Sequence, residues 1–201
     1  MTTAYQKILA GINRVSRITE EDWNLCQAGL RYKSFKKGEF FIEEGKIYKE
    51  IAFVINGLFR AYYVIDGEEI NCSFFFEGQW PKAYHSFLTQ TPGKMWIQAM
   101  EDSEVFLLSY ELLQSLFNTS RNWERFGRIA AETLYVSALL CSEMLLLDKP
   151  ADRYLKLQQQ QPEILERIPL YHIASYIGIK QASLSRIRKR LSKKAIAEVR
   201  L

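Results

Sequence analysis

Six of the chain's ten glycines, Gly38, Gly45, Gly57, Gly67, Gly78 and Gly93, fall in one stretch, at spacings of 7, 12, 10, 11 and 15 residues. The segments they close are apolar and aromatic: EFFIEEG, EIAFVING, LFRAYYVIDG, EEINCSFFFEG and then MWIQAMEDSEVFLLS. Short runs between regularly spaced glycine turns predict antiparallel strands folded into a sandwich or barrel. Asp66-Gly67, between Tyr62-Tyr63-Val64 and Ile70, is a two-residue hairpin signal, because both central residues of such a turn need positive φ.

Helical patterns flank this region. Residues 5–29 read as helical, with Thr19 and Asp22 spaced as a capping box ahead of Trp23, Leu25 and Cys26. From Asn118 to Leu147 a second helical pattern runs about 40 Å at about 1.5 Å per residue. One of its stripes is Trp123, Gly127, Ala130, Leu134, Ala138, Cys141 and Leu145; another is Phe126, Ile129, Val136, Leu140, Met144 and Leu147. A helix that is apolar on two faces must be covered on both. The expected solution puts the barrel against one face and the same helix of a second subunit against the first stripe, a twofold homodimer. Asp148-Lys149-Pro150 ends that helix, with Pro150 in the first turn of the next, and QQQQP with ILERIP reads as a polar linker.

The stretch PLYHIASYIGIKQASLSRIRKRLSKK, residues 169–194, reads as two helices joined by a tight turn. Ile173, Ala174 and Ile177 form the apolar face of the first, and Gly178 supplies a left-handed turn. Leu184, Ile187 and Leu191 form the buried face of the second. Its other face carries Gln181, Ala182, Ser185, Arg186 and Lys189, side chains suited to base edges and phosphates. Lys180 occupies the cap position, where Ser, Thr, Asp or Asn is preferred; it trades capping for a phosphate contact, or the helix begins later. Residues 180–201 hold eight bases and one acid, +7 against +4 for the whole chain, so residues 1–179 sum to −3. A basic tip on a slightly acidic body is the footprint of a nucleic-acid binder.

Composition sets the remaining bounds. With 201 residues, one or two domains are expected, and 48% apolar content suffices for a core. The first residues lack the apolar run of a signal peptide. Thr133–Leu147, the longest candidate membrane span, is interrupted by Glu143, so no membrane partner is expected. Cys26, Cys72 and Cys141 are widely spaced with no CxxC pair, which predicts a cytoplasmic protein without disulfides, zinc or an iron–sulfur cluster. His85 and His172 are the only histidines; His172 is expected to face solvent. No catalytic triad, metal-ligand cluster or phosphate-binding loop can be assembled, so an enzyme is not expected.

Helices, a glycine-punctuated barrel, a long apolar helix and a helix-turn-helix, in that order, resemble the Crp/Fnr family of bacterial transcription regulators. The likeness rests on residues 37–45 (KGEFFIEEG), 55–60 (INGLFR) and 66–70 (DGEEI) in the barrel, and on Ile173-Ala174 through Gly178 to Leu184-Ser185-Arg186-Ile187. The resemblance implies an α+β chain. Its parts are an N-terminal antiparallel β-barrel of jelly-roll type with flanking helices (1–118), a dimerisation helix (119–147) and a C-terminal helix-turn-helix domain (148–201). Only Ala195–Leu201 remains for a β-wing. Family members that bind cyclic nucleotides carry a Gly-Glu pair for the ribose and an Arg-Ser or Arg-Thr pair for the phosphate. Here those positions hold Lys82-Ala83 and Gly93-Lys94. Lysine lacks the bidentate fork of arginine, so weak or no cyclic AMP binding is expected, with no cofactor and an unknown effector. The clustered N-terminal cysteines of the iron–sulfur branch are absent. Phe76, Trp80, Lys82, Ala83, Tyr84, Gly93, Lys94 and Trp96 are the candidate effector-pocket residues, for a different effector or for a barrel serving only as scaffold.

The expected function is therefore a homodimeric, sequence-specific regulator binding an inverted repeat in double-stranded DNA, with RNA polymerase a candidate partner. Gln181, Ser185 and Arg186, with Ala182 beside them, are expected at base edges. Lys180, Arg188, Lys189, Arg190 and Lys193 are expected at phosphates. The alternatives are a small-molecule sensor acting through protein contacts, and a cyclic-nucleotide-responsive regulator.

Overall fold

In the computed structural model, which describes residues 2–198, the glycine-punctuated region forms two antiparallel sheets. Helices α1 (Thr2–Asn13) and α2 (Glu20–Gly29) come first. Strands β1 (Arg31–Phe35), β2 (Phe40–Ile42), β3 (Glu50–Asn56), β4 (Phe59–Ile65) and β5 (Glu68–Phe75) follow, then helix α3 (Tyr84–Thr89), β6 (Trp96–Ala99) and β7 (Ser103–Ser109). Helices α4 (Tyr110–Thr119), α5 (Arg121–Leu147), α6 (Pro150–Gln160), α7 (Pro162–Arg167), α8 (Leu170–Tyr176) and α9 (Gln181–Glu198) complete the chain. One sheet has the order β1-β7-β3, the other β2-β6-β4-β5. This is the expected roll with flanking helices. The α9 helix continues to Glu198, and the rest of the segment considered for a wing lies outside the described residues.

The chain forms two compact units, one of residues 1–63 with 73–136, the other of residues 64–72 with 137 onward. In the first unit the two sheets meet through aromatic rings. Phe35 on β1 stands edge-on to Phe59 on β4 at 5.5 Å, and Phe41 touches Phe35, Phe59 and Tyr48. Each such pair contributes roughly 0.5–1.5 kcal/mol beyond its area. The other face of the three-stranded sheet is covered by α1 and by the loop after β5: Tyr5 stacks on Phe106 at 4.6 Å, and Trp80 packs on Phe53 at 5.1 Å. The capping box appears as read: the Thr19 hydroxyl accepts from the Asp22 N–H at 3.1 Å.

In the second unit the residues of the hairpin turn take the predicted conformation, with φ +52° at Asp66 and +82° at Gly67. Pro150 opens α6 as expected. The segment read as a polar linker is instead a helix: Pro162 opens α7, whose Ile164 is 1% exposed. Pro suits a first helical turn, since its missing N–H has no partner there. Arg153 on α6 is buried and donates from Nη1 to the Leu145 carbonyl at 3.3 Å, satisfying a carbonyl in the last turn of α5.

Candidate nucleic-acid interface

Helices α8 and α9 are joined by the four residues Ile177 to Lys180. Gly178 has φ +70°, and its N–H donates to the Ser175 carbonyl at 3.0 Å. The Ile179 N–H reaches back to the Ala174 carbonyl at 2.9 Å, closing the end of α8 in the six-to-one bond of a glycine C-cap. Ile173, Ala174, Ile177 and Leu184 are 2% exposed or less and form the seat between the helices, with Ile187 and Leu191 half-buried beside them. The Lys180 carbonyl accepts from the N–H groups of Ser183 and Leu184, so α9 begins one residue later and the Lys180 side chain is exposed.

All the sequence-predicted DNA contacts, Lys180, Gln181, Ala182, Ser185, Arg186, Arg188, Lys189, Arg190 and Lys193, are exposed. At about 100° per residue, Ala182, Ser185, Arg186, Lys189 and Lys193 share the face of α9 opposite Leu184, Ile187 and Leu191. Gln181 and Arg188 flank that face on one side and Arg190 on the other. The sequence holds no acid from Lys180 to Lys193. Such a surface can attract a polyanion over its whole length while offering an amide, a hydroxyl and a guanidinium to base edges.

His172 departs from expectation. It is 6% exposed, and its Nδ1 lies 3.2 Å from the Asn71 Nδ2. His85 sits exposed on α3.

The eight candidate pocket residues have different neighbours. Trp80 packs against Phe53 and Phe126, on the face of the three-stranded sheet turned away from the four-stranded one. Trp96 stacks with Tyr62 and meets Phe40. Tyr84 stacks on Phe87, Phe76 and Ala83 are buried, and Lys94 is exposed. Gly93 is held in the backbone, donating to the Lys46 carbonyl and accepting from Gly45. Burial pulls the Lys82 amine down to about 8. An open cleft of about 450 Å³ lies elsewhere, lined by Phe41, Lys46, Ile47, Tyr48, Glu50 and Glu111 among others. A second, of about 420 Å³, is lined by Arg121, Asn122, Glu124, Arg125 and Arg128. None of the eight candidates lines either cleft.

The first stripe of α5 divides. Trp123 is fully buried within its own chain and donates to the Asp22 carbonyl, so it is withdrawn from any partner. A side chain at Gly127 would meet Phe117 at 2.5 Å, which fixes Gly127 against α4. Ala130, Leu134 and Cys141 are half-buried, Ala138 is exposed, and Leu145 is 45% exposed. Beside them stands a barer set that the stripe omitted: Tyr135, Val136, Leu139, Leu140, Leu146 and Leu147, up to 80% exposed. Among the described residues α5 is also the one helix long and apolar enough to cross a membrane, despite the interruption at Glu143.

The cyclic nucleotide-binding domain family matches residues 32–120. Solved structures extend the likeness over both units. FixK2 of Bradyrhizobium japonicum has 17% identity over 83% of this chain and 86% of its own, with a TM-score of 0.67. The c-di-GMP-responsive global regulator CLP of Xanthomonas campestris has 19% identity over 88% and 93%, with a TM-score of 0.66. The chain shares their fold. The catabolite activator protein of Thermus thermophilus is a further structural neighbour, with 17% identity over 89% and 85% and a TM-score of 0.56. No curated protein sequence matches. Within this fold, the matched domain spans β1 to α4 and ends where α5 begins. The bare aliphatic set on α5 was legible as a second apolar stripe through Val136, Leu140 and Leu147. The contact between His172 and Asn71, 101 residues apart, had no local signal.

Proposed function

We propose that this chain is a cytoplasmic transcription regulator that binds an inverted repeat in double-stranded DNA as a homodimer. The uninterrupted basic face of α9, seated on Leu184 through a glycine turn, carries the reading. That face enters the major groove, with Arg186 at guanine, Gln181 at adenine and Ser185 at either. Lys180, Arg188, Lys189, Arg190 and Lys193 hold phosphates. The exposed aliphatic set on α5 pairs with its copy about a twofold axis, which covers a surface that water disfavours. Half-sites then lie about one helical turn apart.

On this reading the roll binds cyclic AMP weakly or not at all: Lys82-Ala83 and Gly93-Lys94 offer neither a carboxylate for the ribose nor a guanidinium for the phosphate. Selection of duplexes from random DNA by the purified protein, with no ligand added, tests the reading. Enrichment of an inverted repeat is the expected result. Salt-sensitive binding with no sequence preference would overturn it. Sedimentation of the protein as a dimer without detergent separates helix pairing from membrane insertion of α5.

A further inference from the structure

Strand β5 is the edge of the four-stranded sheet, and an edge strand leaves N–H and C=O groups unpaired. Near the hairpin, α8 takes them. The Asn71 N–H donates to the Ser175 Oγ at 2.9 Å, and the same hydroxyl donates to the Glu69 carbonyl at 2.8 Å. Ser175 thereby imitates a neighbouring strand, accepting from one edge residue and donating to another. Next to it the Asn71 side chain meets His172 at 3.2 Å, with both residues buried.

Three features make this contact consequential. It holds α8 by two residues one turn apart, His172 and Ser175. The Ser175 carbonyl also accepts from Gly178, so the held residue is part of the turn that launches α9. And with the contact made, Gln181, Ser185, Arg186 and Lys189 are all exposed; the clasp covers none of the reading face.

We infer that the hairpin of residues 64–72 clasps α8 in the form that reads DNA, so that binding requires no small molecule. The inference rests on the DNA-binding reading of α9. Ser175 acts as a positioning residue and touches no DNA. If the clasp is lost, only a fraction of molecules present α9 correctly, and the apparent affinity falls by that fraction.

The test uses the full chain, freed of small molecules by unfolding, dialysis and refolding, and a fluorescent duplex carrying the selected repeat. Wild type binds without ligand. Ser175→Ala weakens operator binding by about tenfold, Ser175→Thr restores it, and hydrogen exchange at the Asn71 amide speeds up in the Ala variant alone. Should Ser175→Ala not fold, Asn71→Ala, which removes the arm to His172, carries the same expectation of weakened binding. An Ala variant with faster exchange at Asn71 and unchanged operator affinity overturns the clasp. So does a wild type that binds the operator only after cyclic AMP or cyclic di-GMP is added. A wild type that binds no duplex under any condition refutes the DNA-binding reading itself.

Discussion

A Cβ placed on Gly57 would stand 2.6 Å from the Ser103 Cβ and 2.7 Å from its Cα. Gly57 has φ +103°, its N–H donates to Glu77 at 2.9 Å, and the Ser103 hydroxyl accepts from the Leu58 N–H and donates to the Glu101 carbonyl. The turn between β3 and β4 is thus built around the absence of a side chain. Gly57→Ala is expected to destabilise the first unit by roughly 2 kcal/mol or more, through both the strained φ and the clash. Urea denaturation would show a lower midpoint at unchanged slope.

Lys82 makes stability depend on pH in an unusual direction for a lysine. Burial lowers its pKa from 10.5 to about 8, so the folded chain releases this proton before the unfolded chain does. Between about pH 8 and 10.5 the unfolded state binds more protons, and this residue's contribution to stability rises with pH. Below that window the cost of the buried charge is fully present. Lys82→Met is expected to raise the melting temperature at pH 7 and to abolish the gain between pH 8 and 10. Melting curves at four pH values check the sign.

Leu139 and Leu140 are 46% and 59% exposed near the middle of the bare part of α5. Leu139→Glu puts like charges opposite each other in a twofold helix pair. Sedimentation velocity is expected to show a shift to monomer, with loss of binding to the inverted repeat and retention of weak half-site binding. A dimer that survives this change would place the interface elsewhere.

Arg186 and Lys189 lie three residues apart on the exposed face of α9 and should fail differently. Arg186→Ala is expected to cost about 1–3 kcal/mol and relax sequence preference at one position. Lys189→Ala should weaken all duplexes alike and reduce the slope of log affinity against log salt by about one. Titrations on operator and random DNA at several salt concentrations separate the two.

Local chemistry announced much of this architecture. Asp66-Gly67, Thr19, Pro150 and Gly178 each sit at a backbone position that few other residues satisfy, and each appears in its predicted role. Proline misled once, at Pro162, because the same residue that ends an element also opens one. The candidate pocket residues are a different case. Proximity in sequence among Trp80, Tyr84 and Trp96 says nothing about which side of a strand or loop each ring takes, and the structure sends Trp80 and Trp96 to different neighbours. Trp123 lay on a convincing stripe, yet its partners come from residues 22 and 126 of its own chain. His172 was beyond reach, since nothing near it in the chain foretells Asn71.

The second unit is discontinuous in sequence: residues 64–72 belong with the chain from 137 onward. A fragment starting at residue 137 would keep every residue of the basic face and lose the strand edge on which Ser175 closes. Cutting such a chain between its roll and its basic helix is therefore not a matter of finding the linker. Grafting α8 and α9 onto another scaffold would require carrying a nine-residue piece of the sheet along with them.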